Sequence, residues 1–166
     1  MTKPPSKAEL VVAWIAVLLL LGCAIVGLAW HGLSTDELQR FWRNVVARPG
    51  GPMTFRFLLQ PGMATIAAFR DGIKDARLER TPFLSAVVLG GERRSARLWE
   101  GVVSTARILI LGVVMDVVYQ LAFLDEFHPG ESAIVAVLLA FLPYALLRGP
   151  MARVAQIWMT RRRQVD

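Results

Sequence analysis

The chain has 166 residues, of which 55% are apolar, and its mean hydropathy is +0.47. An ordinary soluble domain uses about 45 to 50% apolar residues including glycine, so this composition excludes a plain soluble globule and assigns the surplus to lipid. A net charge of +6 could signal nucleic acid, but the basic residues stand in blocks beside the apolar runs, where anionic headgroups attract them; the expected partner is a lipid bilayer with anionic headgroups, and no nucleic acid.

In chain order, Lys3, Lys7 and a Pro4-Pro5 pair precede the uncharged run Leu10 to Trp30, flanked by Trp14 and Trp30. A bilayer core about 30 Å thick needs about 20 apolar residues in a helix, and tryptophan favours the interfaces, so this run reads as a first span, 10–30. Two processing readings stand beside it: a secretory signal, from Lys3 and Lys7 before an apolar run, and a loose lipoprotein box at Leu20-Leu21-Gly22-Cys23. The apolar run continues past Cys23 with no small-x-small site, so an uncleaved helix is expected. Cys23 is the single cysteine, which excludes an intrachain disulfide or a multi-cysteine metal site.

Ser34 with Glu37 forms a capping box opening a helix over 34–48. Leu38, Phe41, Trp42, Val45 and Val46 share one face of it, with Arg40, Arg43, Asn44 and Arg48 elsewhere, a pattern that suits an amphipathic helix lying in the headgroup plane. Pro49, Gly50, Gly51 and Pro52 break the chain. The run 53–69 is apolar but holds Arg56, Gln60, Pro61 and Gly62. An arginine at mid-span costs about 3 kcal/mol on insertion scales, so this segment is expected as a kinked span sheltered by neighbours, with Arg56 snorkelling, or as a re-entrant segment. Arg70 to Arg80 is read as a charged, solvated helix end with intrahelical ion pairs, and 70–100 as a cytoplasmic connection, with the short apolar piece Pro82 to Leu89 ended by Gly90 and Gly91.

From Gly101 onward the pattern is a transmembrane hairpin: an apolar run 102–124, an acidic turn from Asp125 to Glu131, and a second run, 131–148, closed by Arg148, Gly149 and Pro150. The tail 149–166 mixes Val154, Ile157 and Trp158 with arginines and suits an anionic surface. Lysine and arginine are abundant in 70–100 and in the tail and absent from the turn, so the turn is placed outside and both termini inside. The fold expected is therefore all-α: a polytopic membrane protein of about four transmembrane helices plus an interfacial amphipathic helix, in one membrane domain. A three-span version, with 53–69 dipping without crossing, remains open beside it.

Asp116 is the in-span residue that anchoring alone does not require. At about 100° per residue Thr105, Gly112, Asp116 and Gln120 lie on one line, with Tyr119 and Gly101 at its margin and Arg107 opposite. Ser132, Ala136 and Ala140 repeat every fourth residue in the second run, the small-residue spacing that lets membrane helices approach closely, and Tyr144 and Arg148 continue the row. Tyr144, Arg148 and Arg56 are thus the candidate partners of Asp116, which acts either as a helix clamp with Tyr119 and Gln120 or as an ion or proton relay. His128 and Glu131, with His31 on the same side, form a candidate metal cluster, although Pro129 and Gly130 make that stretch a turn. No catalytic residue, cofactor or resident metal is expected.

Two resemblances bear on function. Asp71-Gly72-Ile73-Lys74-Asp75-Ala76-Arg77 resembles the first half of the aspartate motif of CDP-alcohol phosphatidyltransferases, membrane enzymes that bind a divalent metal through acids on two helices. The second half of that motif is absent, and the resemblance implies Asp71 and Asp75 as metal ligands. At Phe57 to Pro61, Arg70 to Arg77, Asp116 to Gln120, Pro129 to Glu131 and Pro143 to Pro150 the chain resembles small, uncharacterised bacterial inner-membrane proteins. That likeness implies a bacterial cytoplasmic membrane and no activity. The expected role is a noncatalytic accessory or scaffold subunit with a membrane-protein partner or as a homo-oligomer; the alternatives are a small oligomeric transporter or channel component using Asp116, and a metal-dependent lipid-modifying enzyme using Asp71 and Asp75.

Overall fold

A computed structural model of the chain describes residues 4–32, 34–47, 53–91, 94–124 and 126–163. Lys3, the break around Arg48 to Pro52, Glu92, Arg93 and Asp125 lie outside the described residues, as do the side chains of Glu37 and Leu38. The described residues form helices and no strand: α1 (Lys7–His31), α2 (Thr35–Ala47), α3 (Arg56–Arg77), α4 (Phe83–Leu89), α5 (Arg94–Phe123), α6 (Pro129–Ala136) and α7 (Leu142–Arg163), with a π turn over Val137–Phe141 joining α6 to α7. Among the described residues, three helices are long and apolar enough to cross a membrane: Lys7–His31, Arg94–Phe123 and Pro129–Arg161.

α1 begins earlier than its hydropathy indicates, because Ser6 and Glu9 close a capping box: the Ser6 hydroxyl accepts from the Glu9 amide and Glu9 accepts from the Ser6 amide. That satisfies amides the first turn leaves without helical partners. The helix ends at Gly32, at φ +67°, whose N–H bonds Leu28. Its buried residues are Ala13, Ala16 and Gly27, all small, so α1 can approach the bundle backbone to backbone. A Cβ at Gly27 would lie 2.5 Å from the Gly130 nitrogen. At the other end of α1, Trp14 packs on Trp99 of α5, ring centroids 4.9 Å apart. α1 and α5 therefore run in the same direction, and α3 and α6–α7 run against them.

Two expected boundaries change. The apolar run 53–69 and the charged run 70–80 are one helix, α3, which passes through Pro61 without breaking. The Thr65 hydroxyl donates to the Pro61 carbonyl at 2.7 Å, the back-bond that threonine makes within a helix. The second hairpin run also continues beyond Arg148 to Arg163.

The π turn explains how one row of side chains stays inside. Ser132, Ala136, Ala140, Tyr144 and Arg148, spaced by four, are all fully buried. A straight α-helix rotates such a row by about 40° at each step, because it repeats every 3.6 residues. The wider turn, in which the Leu142 amide bonds the Val137 carbonyl, takes up part of that drift. Pro143 follows at once, without an amide to donate to the carbonyl four residues back.

Candidate functional site

α3 carries the buried stripe Arg56, Gln60, Ala64, Ala68, Asp71, Gly72, Asp75 and Ala76. Alanine and glycine fill the middle of the stripe and ionisable groups stand at its ends. Buried charge thus collects in two clusters, separated by small-residue packing. A Cβ at Gly72 would fall 2.8 Å from the Met151 Cβ and 2.9 Å from the Ala152 nitrogen, so glycine there is what lets α7 lie against α3.

The first cluster sits near the turn. Arg56 donates from Nη2 to Asp116 Oδ1, with the two side chains 1% and 0% exposed. Gln120 Nε2 donates to Asp116 Oδ2 at 2.7 Å, and lies 2.9 Å from Ser132 Oγ and 3.1 Å from the His128 carbonyl. Its Oε1 accepts from the His128 amide at 2.7 Å. The Arg56 guanidinium also lies over the Tyr119 ring, 5.1 Å from the centroid. Beyond Gln120, the His31 and His128 rings stack at 4.1 Å and 28°, and His31 Nε2 is 3.2 Å from the Phe127 carbonyl. Glu131 accepts from Arg40 at 3.0 Å and from Asn44 at 3.4 Å. Four buried polar atoms here make no hydrogen bond to the described residues: Arg56 Nη1, Gln60 Nε2, Gln60 Oε1 and His128 Nε2.

The second cluster lies at the opposite end. Arg148, 0% exposed, makes a fork to Asp75 through Nε at 2.8 Å and Nη2 at 3.1 Å. Arg97 makes another to the same carboxylate, at 3.1 and 3.0 Å. Glu100 accepts from Arg148 and Arg97, and Arg80 joins it at 3.3 Å. The Tyr144 hydroxyl donates to Asp71 Oδ2 and accepts from Arg148 Nη1, each at 2.7 Å. Phe83 of α4 packs against both guanidinium groups, 4.7 Å from that of Arg148 and 5.7 Å from that of Arg97. Asp75 thus accepts from two guanidinium groups at once.

These clusters correct several expectations. Of the three candidate partners, Arg56 holds Asp116. Tyr144 and Arg148 do not reach it, because Ser132 is the residue level with Gln120, and Tyr144 lies twelve residues, about 18 Å of helix rise, further down. Arg56 does not snorkel; it is buried. Asp71 and Asp75 are not a solvated helix end but sit 6% and 1% exposed. Their oxygens already accept from Tyr144, Lys74, Arg148 and Arg97, which engages the positions that a metal-ligand reading needs. Asp116 lies within its apolar helix, as expected, seven residues before the end of α5.

Stacked rings do not converge two imidazole nitrogens on one point, and Glu131 is turned to Arg40; among the described residues no three His, Cys, Asp or Glu side chains are arranged to hold a metal ion. An open groove between Leu20, Leu21 and Ala24 of α1 and Ala133, Ile134, Val137 and Leu138 is apolar throughout, so it has no group to orient a polar substrate. Sequence reasoning overlooked Arg97, Glu100 and Phe83. The legible signal was that Asp71 and Asp75 share the four-residue spacing of Tyr144 and Arg148. No protein-family model matches the chain, and neither the curated proteins nor the solved structures yield a significant match.

Proposed function

We propose that the chain is a noncatalytic, multi-pass accessory or scaffold subunit of a bacterial inner membrane. Its helices α1, α3, α5 and α6–α7 make four crossings with both termini inside. The observation that carries this reading is the Arg56–Asp116 pair. Both members are buried, and Arg56 and Gln120 each hold one oxygen of the Asp116 carboxylate, so the acid is engaged in fastening α3 to α5. Asp75 is likewise neutralised within the chain. What is left for partners is the outer surface: apolar side chains such as Leu18, Ile25, Val114 and Leu121 are exposed, and Arg70, Arg77, Arg153 and Arg161 stand at the end away from the turn, also exposed. Four crossings are supported by α3 itself, since nineteen residues separate Arg56 from Asp75, about 28 Å of rise against a hydrocarbon core of about 30 Å.

A second reading, a small oligomeric channel or transporter component, is favoured by the buried polar atoms of Arg56 and Gln60 that lack partners in the first cluster. Reconstitution separates the two. In proteoliposomes under imposed proton and potassium gradients, the scaffold gives no flux above protein-free vesicles. Native flux that disappears in Asp116→Asn would replace the first reading by the second.

A further inference from the structure

We infer that Arg56 and Gln60 build an internal binding site for water between α3 and α5. Arg56 and Gln60 are both 1% exposed and stand one helical turn apart on the same face of α3. One fork of Arg56 is spent on Asp116; among the described residues the other nitrogen, Nη1, has no acceptor, and Gln60 has no partner for either its Nε2 or its Oε1. A buried amide left in that condition costs about 1–3 kcal/mol, and native proteins meet such cases with ordered water. Two donors and one acceptor on neighbouring side chains match a ligand that both accepts and donates.

Charge and space restrict what that ligand is. The guanidinium is balanced by Asp116, so an ion entering here would bring an uncompensated charge into an apolar bundle, at a cost of several kcal/mol. A neutral ligand carries no such penalty. The opposing wall is Gly112, where a Cβ would already lie 3.5 Å from Gln60 Nε2 and 3.0 Å from the Ala136 Cβ. Those contacts are tight, so the wall at Gly112 is closed and a bulky hydrogen-bonding molecule is excluded. The site thus puts exchangeable protons beside the Arg56–Asp116 pair.

The test is two-sided. Gln60→Met keeps the volume and removes the amide. With water bound, the substitution strands Nη1 and lowers the melting temperature of the full chain in nanodiscs by about 3 °C. A dry site gains stability when the orphan amide goes, so an unchanged or raised melting temperature overturns the inference. Independently of any variant, solid-state NMR of the native chain in lipid reads magnetisation transfer from water to the side-chain nitrogens of Gln60 and Arg56. Cross-peaks that build up as fast as those of residues at the membrane surface are expected, and their absence overturns the proposal even where Gln60→Met fails to fold.

Discussion

Arg56 on α3 is buried against Asp116 on α5, and nineteen residues further along each helix the pairing recurs with its signs exchanged, Asp75 on α3 accepting from Arg97 on α5. Because the helices are antiparallel, the two pairs lock one register. Sliding α3 by a single turn would separate Arg56 from Asp116, two side chains buried in the bundle, and shift Asp75 away from Arg97. Charge at both ends of a small-residue stripe specifies how the helices align, while apolar contact specifies only that they associate.

Removing one member of the turn-end pair is therefore expected to do more harm than removing both. Asp116→Leu leaves Arg56 uncompensated and should destabilise the chain by about 3–5 kcal/mol, whereas Arg56→Met with Asp116→Leu should recover most of the loss. Thermal unfolding in detergent of the two singles and the double measures this. Equal stability for the single and double variants would show that the pair does not couple the helices.

The second cluster predicts a cost for removing its central carboxylate. Asp75→Asn leaves the Arg148 guanidinium, 0% exposed, without the charge it forks to, and should destabilise the chain by about 3–5 kcal/mol in thermal unfolding. A variant as stable as the native chain would show that Glu100 by itself balances Arg148 and Arg97.

Tyr144→Phe removes a hydroxyl that donates to Asp71 and accepts from Arg148. The ring still packs on Phe83 at 5.7 Å, so the loss isolates the hydrogen bonds, at about 1–3 kcal/mol for buried partners left unpaired. Tyr144→Leu should cost more. A Phe variant as stable as the native chain would mean that Asp71 is satisfied in another way.

The glycines give a contrast within one helix. Gly27→Ala places a methyl group 2.5 Å from the Gly130 nitrogen and 2.7 Å from its Cα, whereas Gly22→Ala meets nothing within 4 Å. Overpacking against backbone typically costs about 1–3 kcal/mol. Gly27→Ala should loosen α1, read as faster modification of Cys23 by a lipid-soluble maleimide, and Gly22→Ala should leave the rate unchanged.

The sequence by itself determined the helical, lipid-suited character of the chain, and for a local reason: hydropathy, run length and capping residues act within a few turns, and they mark 10–30, 102–124 and 131–148 without reference to any other part of the chain. It also placed Gly101, Thr105, Gly112, Asp116 and Gln120 on one face of α5, all of which are buried, because the angle between residues on a helix needs no tertiary information. What only the tertiary structure decided is which faces meet and at what height. Three basic or phenolic partners for Asp116 were equally available to a reading of the chain; α3 running antiparallel to α5 selects Arg56, and the π turn hands Tyr144 and Arg148 to Asp71 and Asp75. The apparently solvated acids of α3 are buried for the same reason. An i,i+4 pair of carboxylates looks alike on a wet helix and on a dry one until the opposing helix, here with Gly72 letting it come close, is in place.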